Sequence, residues 1–468
     1  MSLCFAIVLT GNATADNKAL FKAYRFPLSL MVLWILYQII QILPLPLPGL
    51  DGWATISINP SDSIQGIALN VSLVSLMLSS MMLATSSDRL KKILLVIVLT
   101  GSANAIYALF VYLSVENVSF FVLPEPFKSD KLYHHVTRGT FVNHNHFFDF
   151  MAITLTYLVA IYESTRPSIT ATSQSKWIIL IDSFYSERTV YLVLTLLIFT
   201  ALIMSHSRGG YLAMLAAWLL VTVVLFHAKR TSCPPQNTLN RKVNHTLKLI
   251  LIILVAMVTI TSTSKNYQQP YAVKEFNLHS NSPIFRSSLK LINAHPITGS
   301  GTNTYDQAHT PYIQHYFPKT TLHWSHAHNG YLELIAEQGI IGFLLLGGAI
   351  VFLTIRFFQH VFVQPVSIAR NCLIANALTT MTLLIHAIAE YNFQVPALSA
   401  YFFISLGLGM AASQLGGPTV VCNKTCHFGQ IGLLFMSLVL TLCTVYLFKM
   451  VLKMDFFHGY SLGVLAWF

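Results

Sequence analysis

Long apolar runs recur along the whole chain, and short polar segments separate them. A helix needs roughly 20 apolar residues to cross the hydrocarbon core of a bilayer. We expect helices because backbone polar groups must pair internally in lipid, and because the runs lack the alternation of a barrel strand. Eleven runs have the required character, at residues 26–43, 64–84, 93–115, 147–162, 189–204, 209–226, 247–262, 339–358, 369–389, 397–413 and 429–449.

The polar segments predict how the chain is divided. Short apolar segments at 1–10 and 455–468 are candidates for partial spans, which brings the expected number of transmembrane helices to about 11–12. We therefore predict an all-α polytopic membrane protein with one large loop between its spans. Its expected parts are an amino-terminal transmembrane bundle (1–262), the large loop with the candidate catalytic motif (263–338) and the carboxy-terminal transmembrane helices (339–468).

Composition and charge support this prediction. The 468 residues are 54% hydrophobic and only 10% charged, with a mean hydropathy of +0.61, whereas soluble domains carry about a quarter charged residues. The net charge of +11 comes from basic residues spread between the spans, which argues against nucleic-acid binding. If the amino terminus lies in the cytoplasm, most basic residues fall in cytoplasmic loops, as the positive-inside rule requires. The large loop then faces outward.

Ionisable side chains nevertheless occur on the outer side, close to the ends of predicted spans. Charge at the edge of a membrane is costly, so its default explanation is functional. The candidates are Arg138, shortly before Asn143-His144-Asn145-His146; Arg208, in a very short turn; Arg286, in the large loop; and Glu390, in the last outer turn.

Each of these groups also has a simpler explanation. Arg208 adjoins two apolar spans, where an arginine commonly snorkels to the interface. An exposed arginine such as Arg286 is ordinary in a polar loop. Glu390 could contact a sugar or pair with an arginine. The two histidines after Arg138 suggest a metal tract, but Asp149 is the only nearby carboxylate, so lining a lipid-carrier site or bracing the span is favoured.

Histidines and carboxylates are most crowded just before the span at 339–358. His326 and His328 bring imidazoles, which exchange protons near neutral pH, and His328 is the candidate general base. His328 could instead bond the loop backbone, and a structural or supporting role is favoured for His326. Asn329 could be a helix N-cap. Glu333 and Glu337 lie one helical turn apart, and either could orient the imidazole. They could instead only interact favourably with the dipole at the start of the helix.

Several of these motifs resemble those of one family, the O-antigen ligase superfamily. His328-Asn329, followed after nine residues by Gly-Ile-Ile-Gly at 339–342, resembles its histidine motif. Ser-Arg-Gly-Gly at 207–210 resembles its short-loop arginine motif, and Arg286 resembles the arginine of its large loop. The stretches 139–146 and 390–396 are also similar to recurrent family segments. The resemblance covers about residues 138–409.

This resemblance implies an integral-membrane glycosyltransferase. Members move a glycan from an undecaprenyl-diphosphate carrier to an acceptor hydroxyl of lipid A-core, another glycan or a protein. They act at the periplasmic face of the bacterial inner membrane, so the lipid bilayer and the lipid-linked donor are the expected partners. The resemblance implies that no cofactor and no metal are required.

The chemistry of the residues agrees with this expectation. Arginine guanidiniums, at Arg208, Arg286 and less directly Arg138, can bind a departing diphosphate. His328 can take the proton of an acceptor hydroxyl. Asn329, Glu333, Glu390 and His326 are further candidates for substrate contact, and direct displacement predicts inversion at the sugar carbon.

Two other functional classes compete with this reading. A transporter or flippase for a lipid-linked or anionic substrate would show internal repeats and ionisable groups near mid-membrane. No repeat is evident in the sequence, and the ionisable groups fall on one face. A structural membrane protein would not require such one-sided arginine and histidine loops.

Overall fold

The computed structural model describes residues 15–46, 53–113, 136–165, 187–231, 282–314 and 325–415. Within these ranges nine helices are long and apolar enough to cross a membrane. They are α2 (Arg25–Ile42), α3 (Pro60–Leu83), α4 (Ser87–Leu113), α5 (His144–Ser164), α6 (Glu187–Met204), α7 (Arg208–Thr231), α10 (Gly330–Val363), α11 (Ile368–His386) and α12 (Pro396–Leu415).

These helices confirm the prediction of an all-α polytopic membrane protein. Each coincides with one predicted span, usually within a few residues at either end. The predicted spans at 247–262 and 429–449, and the segments 1–10 and 455–468, lie outside the described residues.

The remaining described elements are short. They are α1 (Ala15–Ala23), α8 (Ser282–Ala294), α9 (Tyr305–Gln314), a 3₁₀ helix (Asn392–Gln394) and two antiparallel strands of two residues each, β1 (Leu45–Pro46) and β2 (Trp53–Ala54). Helices α8 and α9 belong to the predicted large loop, where they pack on each other and against α10.

Polar residues just before the spans set where several helices begin. Asn59 caps α3 by accepting hydrogen bonds from the Ser61 and Asp62 N–H groups. Asn143 caps α5 in the same way, and Ser367 caps α11. These caps satisfy N–H groups that have no partner inside the helix, so the chain enters each span at a defined residue.

Helix α10 begins earlier than its hydropathy predicts. The apolar run starts at Gly339, but the helix starts at Gly330 and contains a kink at Gly339 (φ 61°, ψ −171°). At the kink the Ile340 N–H donates to the Pro296 carbonyl at 3.0 Å. A Cβ on Gly339 would meet the carbonyl of Ile297. The glycine therefore lets the large loop dock against the helix.

Side-chain bonds between helix ends define two ends of the bundle. At the site end, Gln41 of α2 donates to the Glu337 carbonyl of α10 at 3.1 Å, and Asn145 of α5 donates to Glu390 beyond α11. The Thr137 N–H, ahead of α5, donates to the Met204 carbonyl at the end of α6. The chain therefore brings six helix ends together there, those of α2, α5, α6, α7, α10 and α11.

The opposite end is joined by fewer and simpler bonds. The Tyr24 hydroxyl bonds Ser413 at 2.7 Å, and Gln364 donates to the Ser413 carbonyl at 2.7 Å. Lys91 and Glu187 pair at 3.3 Å. Between the two ends, α5, α11 and α12 form the most buried part of the core, whereas α6 lies at its edge.

Candidate active site

The histidine segment enters α10 through a tightly bonded cap. His328 has a positive φ of 51°, which turns the chain into the helix. The Asn329 side-chain oxygen accepts the Tyr331 and Leu332 N–H groups at 3.0 and 2.9 Å. Asn329 is therefore the N-cap of α10, and its amide donates to the Ile388 carbonyl at 2.7 Å. The cap fixes the histidine segment to the turn that follows α11.

A carboxylate orients the first imidazole of the segment. His326 Nδ1 donates to Glu333 Oε1 at 2.8 Å, and the Ala327 N–H donates to Glu333 Oε2 at 2.9 Å. Glu333 is buried, with 2% of its side chain exposed, whereas 32% of the His326 side chain is exposed. The carboxylate thus leaves the Nε2 edge of His326 as the edge that a substrate can approach.

The ring of Tyr391 is the point where three histidines meet. His326 stacks on it with the ring centroids 4.3 Å apart and the planes 15° from parallel. His328 meets the same ring at 5.0 Å and nearly at a right angle, and so does His146 at 4.7 Å. Tyr391 therefore sets the spacing between the two imidazoles of the segment and ties them to α5.

Glu390 extends this group towards α5. Its Oε1 accepts a hydrogen bond from Asn145 at 2.5 Å, and its Oε2 lies 3.7 Å from His146 Nε2. The backbone carbonyl of Glu390 accepts the Gly330 N–H at 3.0 Å. Burial raises the pKa of Glu390 to about 7, although a nearby imidazole and the bond from Asn145 lower it. Glu390 can therefore be neutral or charged near physiological pH.

A second histidine–carboxylate pair lies deeper in the same region. His386 Nδ1 donates to Asp149 Oδ1 at 2.8 Å, and both side chains are almost completely buried. The pair joins α11 to α5 directly below the Glu390 turn. Among the described residues, no group of three or more His, Cys, Asp or Glu side chains is arranged to hold a metal ion.

The pKa values of the two imidazoles of the histidine segment are shifted in opposite directions. Burial, with a smaller contribution from the neighbouring His326, lowers the pKa of His328 to about 4. Burial also acts to lower the pKa of His326, but the hydrogen bond and charge of Glu333 outweigh it and raise the pKa above its ordinary value. His328 is therefore neutral at neutral pH, whereas the surroundings of His326 favour its charged form.

The three candidate arginines lie on elements that surround this group. Arg208 is the first residue of α7, and it is exposed. Burial lowers the pKa of the nearby His206, and the charge of Arg208 contributes to this shift. Arg286 lies half-buried on α8, which packs against α10. Arg138 lies within electrostatic reach of His144 at the start of α5. Within the described ranges, no ion pair is formed by the side chain of Arg208 or of Arg286.

The fold thus brings together most, but not all, of the predicted side chains. His326, His328, Asn329, Glu333 and Glu390 form one continuous group of contacts. Arg208 and Arg286 lie on neighbouring elements, α7 and α8, and Arg138 precedes α5.

Two parts of the site were not predicted. Tyr391 directly follows Glu390, but nothing in the spacing of the chain shows that three histidines meet its ring. The His386–Asp149 pair joins positions that are 237 residues apart. A buried carboxylate and a buried histidine on separate apolar spans were the available signal, because such groups are expected to pair.

The fold and the site together define the class of protein. This is a polytopic helical membrane protein with a polar histidine–carboxylate site at one end of its bundle. Residues 193–347, about a third of the chain, match the family model described as O-antigen ligase. The matched segment contains Arg208, Arg286 and His328. A comparison with curated proteins found no match.

The match agrees with the resemblance of the histidine and arginine motifs to the O-antigen ligase superfamily. It supports, in general terms, a membrane glycosyltransferase activity of the O-antigen ligase or polymerase type. Arg138 and Glu390 lie outside the matched segment, so their place in the site depends on the geometry alone.

Proposed function

We propose that this enzyme transfers a glycan from undecaprenyl diphosphate to an acceptor hydroxyl, as an O-antigen ligase or a surface-polysaccharide polymerase. The observation that carries the proposal is the group around Tyr391, where the imidazole of His328 and the carboxylate-bound imidazole of His326 meet one ring just before the span of α10. The diphosphate of a lipid-linked donor would lie at the end of such a span.

The distribution of basic residues supports a periplasmic site in a bacterial inner membrane. The opposite end of the bundle carries Arg25, Arg89, Lys91, Lys92, Arg188, Arg356 and Arg370. Basic residues favour the cytoplasmic side, so the opposite end would face the cytoplasm and the site end the periplasm. Positive charge is sparser at the site end, which is consistent with each remaining arginine having a function there.

In this mechanism the arginines bind the diphosphate of the donor. Guanidiniums form paired hydrogen bonds with phosphate oxygens and stabilise the charge that accumulates as the carrier departs. Arg208 and Arg286 would do this, with Arg138 as a third candidate. Both Arg208 and Arg286 are at least partly exposed and have no internal ion pair within the described residues, so their charge is available to a ligand.

His328 would act as the general base. Its low pKa keeps it neutral at physiological pH, so it can accept the proton of the acceptor hydroxyl. The hydroxyl oxygen then forms a bond to the sugar carbon, and the carbon–phosphate oxygen bond breaks with its electron pair on the diphosphate. This single displacement would invert the sugar carbon. Because the donor is already activated, no metal or cofactor is needed.

The remaining polar residues would hold the substrates and the base. Asn329 fixes the segment that carries His328, while Glu333 orients His326. Glu390, which can be neutral near pH 7, would accept or donate a hydrogen bond to an acceptor sugar. Selection among lipid A-core, glycan and protein acceptors would fall to the part of the large loop at 263–327.

Reconstitution in proteoliposomes tests this function. The purified protein receives an undecaprenyl-diphosphate glycan and, separately, lipid A-core, a second lipid-linked repeat or a pilin-like protein. Covalent transfer to one acceptor supports the proposal and identifies the acceptor class. Translocation of the donor without any transfer would favour a transporter instead. Retention at the sugar carbon of the product would exclude the single displacement.

A further inference from the structure

The buried carboxylate of Glu333 requires a positive partner. Only 2% of its side chain is exposed, and its two oxygens accept the His326 Nδ1–H and the Ala327 N–H. Proteins tolerate a buried carboxylate when a cation is paired with it and its lone pairs are satisfied. His326 is the side chain in hydrogen-bond contact that can carry this charge.

The position of Tyr391 favours the same charge state. The imidazole of His326 lies face to face with the ring, 4.3 Å between centroids and 15° from parallel. An aromatic face is electron-rich and attracts a cation that lies over it. The opposite edge of the imidazole points away from its bond to Glu333, and 32% of the His326 side chain is exposed.

The other ionisable groups near His326 are three carboxyl groups and two imidazoles. They are Glu333 and Glu337 from α10, Asp306 from α9, His328 from the same segment and His146 from α5. Burial lowers the pKa of His326, but the three carboxylates together raise it above the ordinary value. These carboxylates therefore favour the charged form of His326, which is lost as the pH rises past that raised value.

We propose that Glu333 and Tyr391 hold His326 as an imidazolium whose free edge binds a phosphate oxygen of the donor, next to the neutral base His328. This inference rests on the proposed function and adds a second kind of cation, an imidazolium, to the arginine guanidiniums. It also gives the two histidines different roles, since His326 binds the leaving group and His328 receives the proton.

The geometry of the displacement explains why two imidazoles are placed together. The incoming hydroxyl and the departing phosphate lie on opposite sides of one sugar carbon, so the base and the cation must be close but distinct. His326 and His328 meet the Tyr391 ring in different orientations, one stacked and one at a right angle. The shared ring thus keeps them at a constant separation.

Binding of undecaprenyl diphosphate, without any glycan, tests the inference directly. Affinity is measured for the full chain in nanodiscs from mildly acidic to alkaline pH. The wild-type affinity should fall as the pH rises past the pKa of His326, by about tenfold for the loss of one charge-assisted hydrogen bond. The ionisation of the ligand itself is the same for every variant, so only differences between variants are interpreted.

Three variants separate the effect of the His326 charge on binding from the effect of the shape of its side chain. Glu333→Gln keeps a hydrogen-bond acceptor but removes the paired charge, so the fall in affinity should move to lower pH. His326→Arg carries a permanent charge and should abolish the alkaline fall. His326→Phe keeps the stacking on Tyr391 and should bind about tenfold more weakly, with no alkaline fall. His360→Phe, at the far end of α10, is the matched control and should behave as the wild type.

The outcomes distinguish this inference from the proposed function. A wild-type protein that does not bind undecaprenyl diphosphate would overturn both. The wild-type protein could instead bind undecaprenyl diphosphate with an affinity that falls at alkaline pH. If neither Glu333→Gln nor His326→Arg alters that fall, only the proposed role of the His326 imidazolium would be overturned. If Glu333→Gln does not fold, His326→Arg alone decides, because a permanent cation must remove the alkaline fall.

Discussion

The site end and the opposite end of the bundle contain the same helices but differ in backbone and in charge. Every described residue with a positive φ lies at the site end: Gly139, His206, Gly299, Gly301, Asn303, His328 and Gly339. The opposite end is made of ordinary caps, such as Ser367 before α11, and of basic side chains. Strained or unusual backbone is concentrated where groups must be placed accurately for function.

This difference implies that the two ends respond differently to mutation. At the site end, buried polar side chains depend on one another through Tyr391 and Glu390. At the opposite end, a lost contact removes one hydrogen bond and leaves the site unchanged. Matched changes at the two ends should therefore separate effects on catalysis from effects on stability.

The largest effect is expected at the base. His328→Ala should reduce glycan transfer by about 10²–10⁴-fold, because general-base catalysis contributes that much. His360→Ala is the matched control, since His360 lies on the same helix at the opposite end. Transfer rates in proteoliposomes, normalised to inserted protein, measure the difference. Near-normal transfer by a well-inserted His328→Ala protein would refute the role of His328 as the general base.

The arginines should have the next largest effect. Arg208→Ala or Arg286→Ala should weaken the use of donor by about 10- to 100-fold, because each removes charge-assisted bonds to phosphate. The lysine variants should recover only part of this loss, since lysine lacks the planar fork. Donor titrations give the KM and kcat of each variant. Exposed Arg25 at the opposite end is the control, and equal losses in Arg25→Ala would indicate a general charge effect.

A smaller effect is expected at the kink of α10. Gly339→Ala should destabilise the protein by about 1–3 kcal/mol, because alanine is strained at this positive φ and its Cβ would meet the Ile297 carbonyl. Gly347→Ala, in the same helix, meets no atom within 4 Å and should be neutral or slightly stabilising. Thermal unfolding in detergent compares the two variants. Equal unfolding temperatures would show that the kink carries no strain.

The smallest effect is expected at the opposite end. Tyr24→Phe removes the bond to Ser413 and should cost about 0.5–1.5 kcal/mol of stability. Transfer by the folded protein should be unchanged, because no residue of the site contacts this bond. Unfolding and transfer are measured on the same preparation. A loss of transfer larger than the loss of folded protein would mean that the two ends are coupled.

Hydropathy alone predicted nine spans that the structure confirms, because lipid forces a helix on any long apolar run. It also predicted which polar residues stand near span ends. It placed the start of α10 too late, since residues 330–338 are amphipathic and their helix is held by the Asn329 cap and the loop rather than by lipid. A cap and a docking contact are invisible to hydropathy.

The sequence by itself determined that this chain crosses a membrane many times, and that histidines, carboxylates and arginines lie near the ends of its spans. Only the tertiary structure decided which of them meet. The contact of His146, His326 and His328 with Tyr391, and the pairing of Asp149 with His386, join residues far apart in the chain. Such contacts arise from the packing of α5, α10 and α11, which local sequence does not specify.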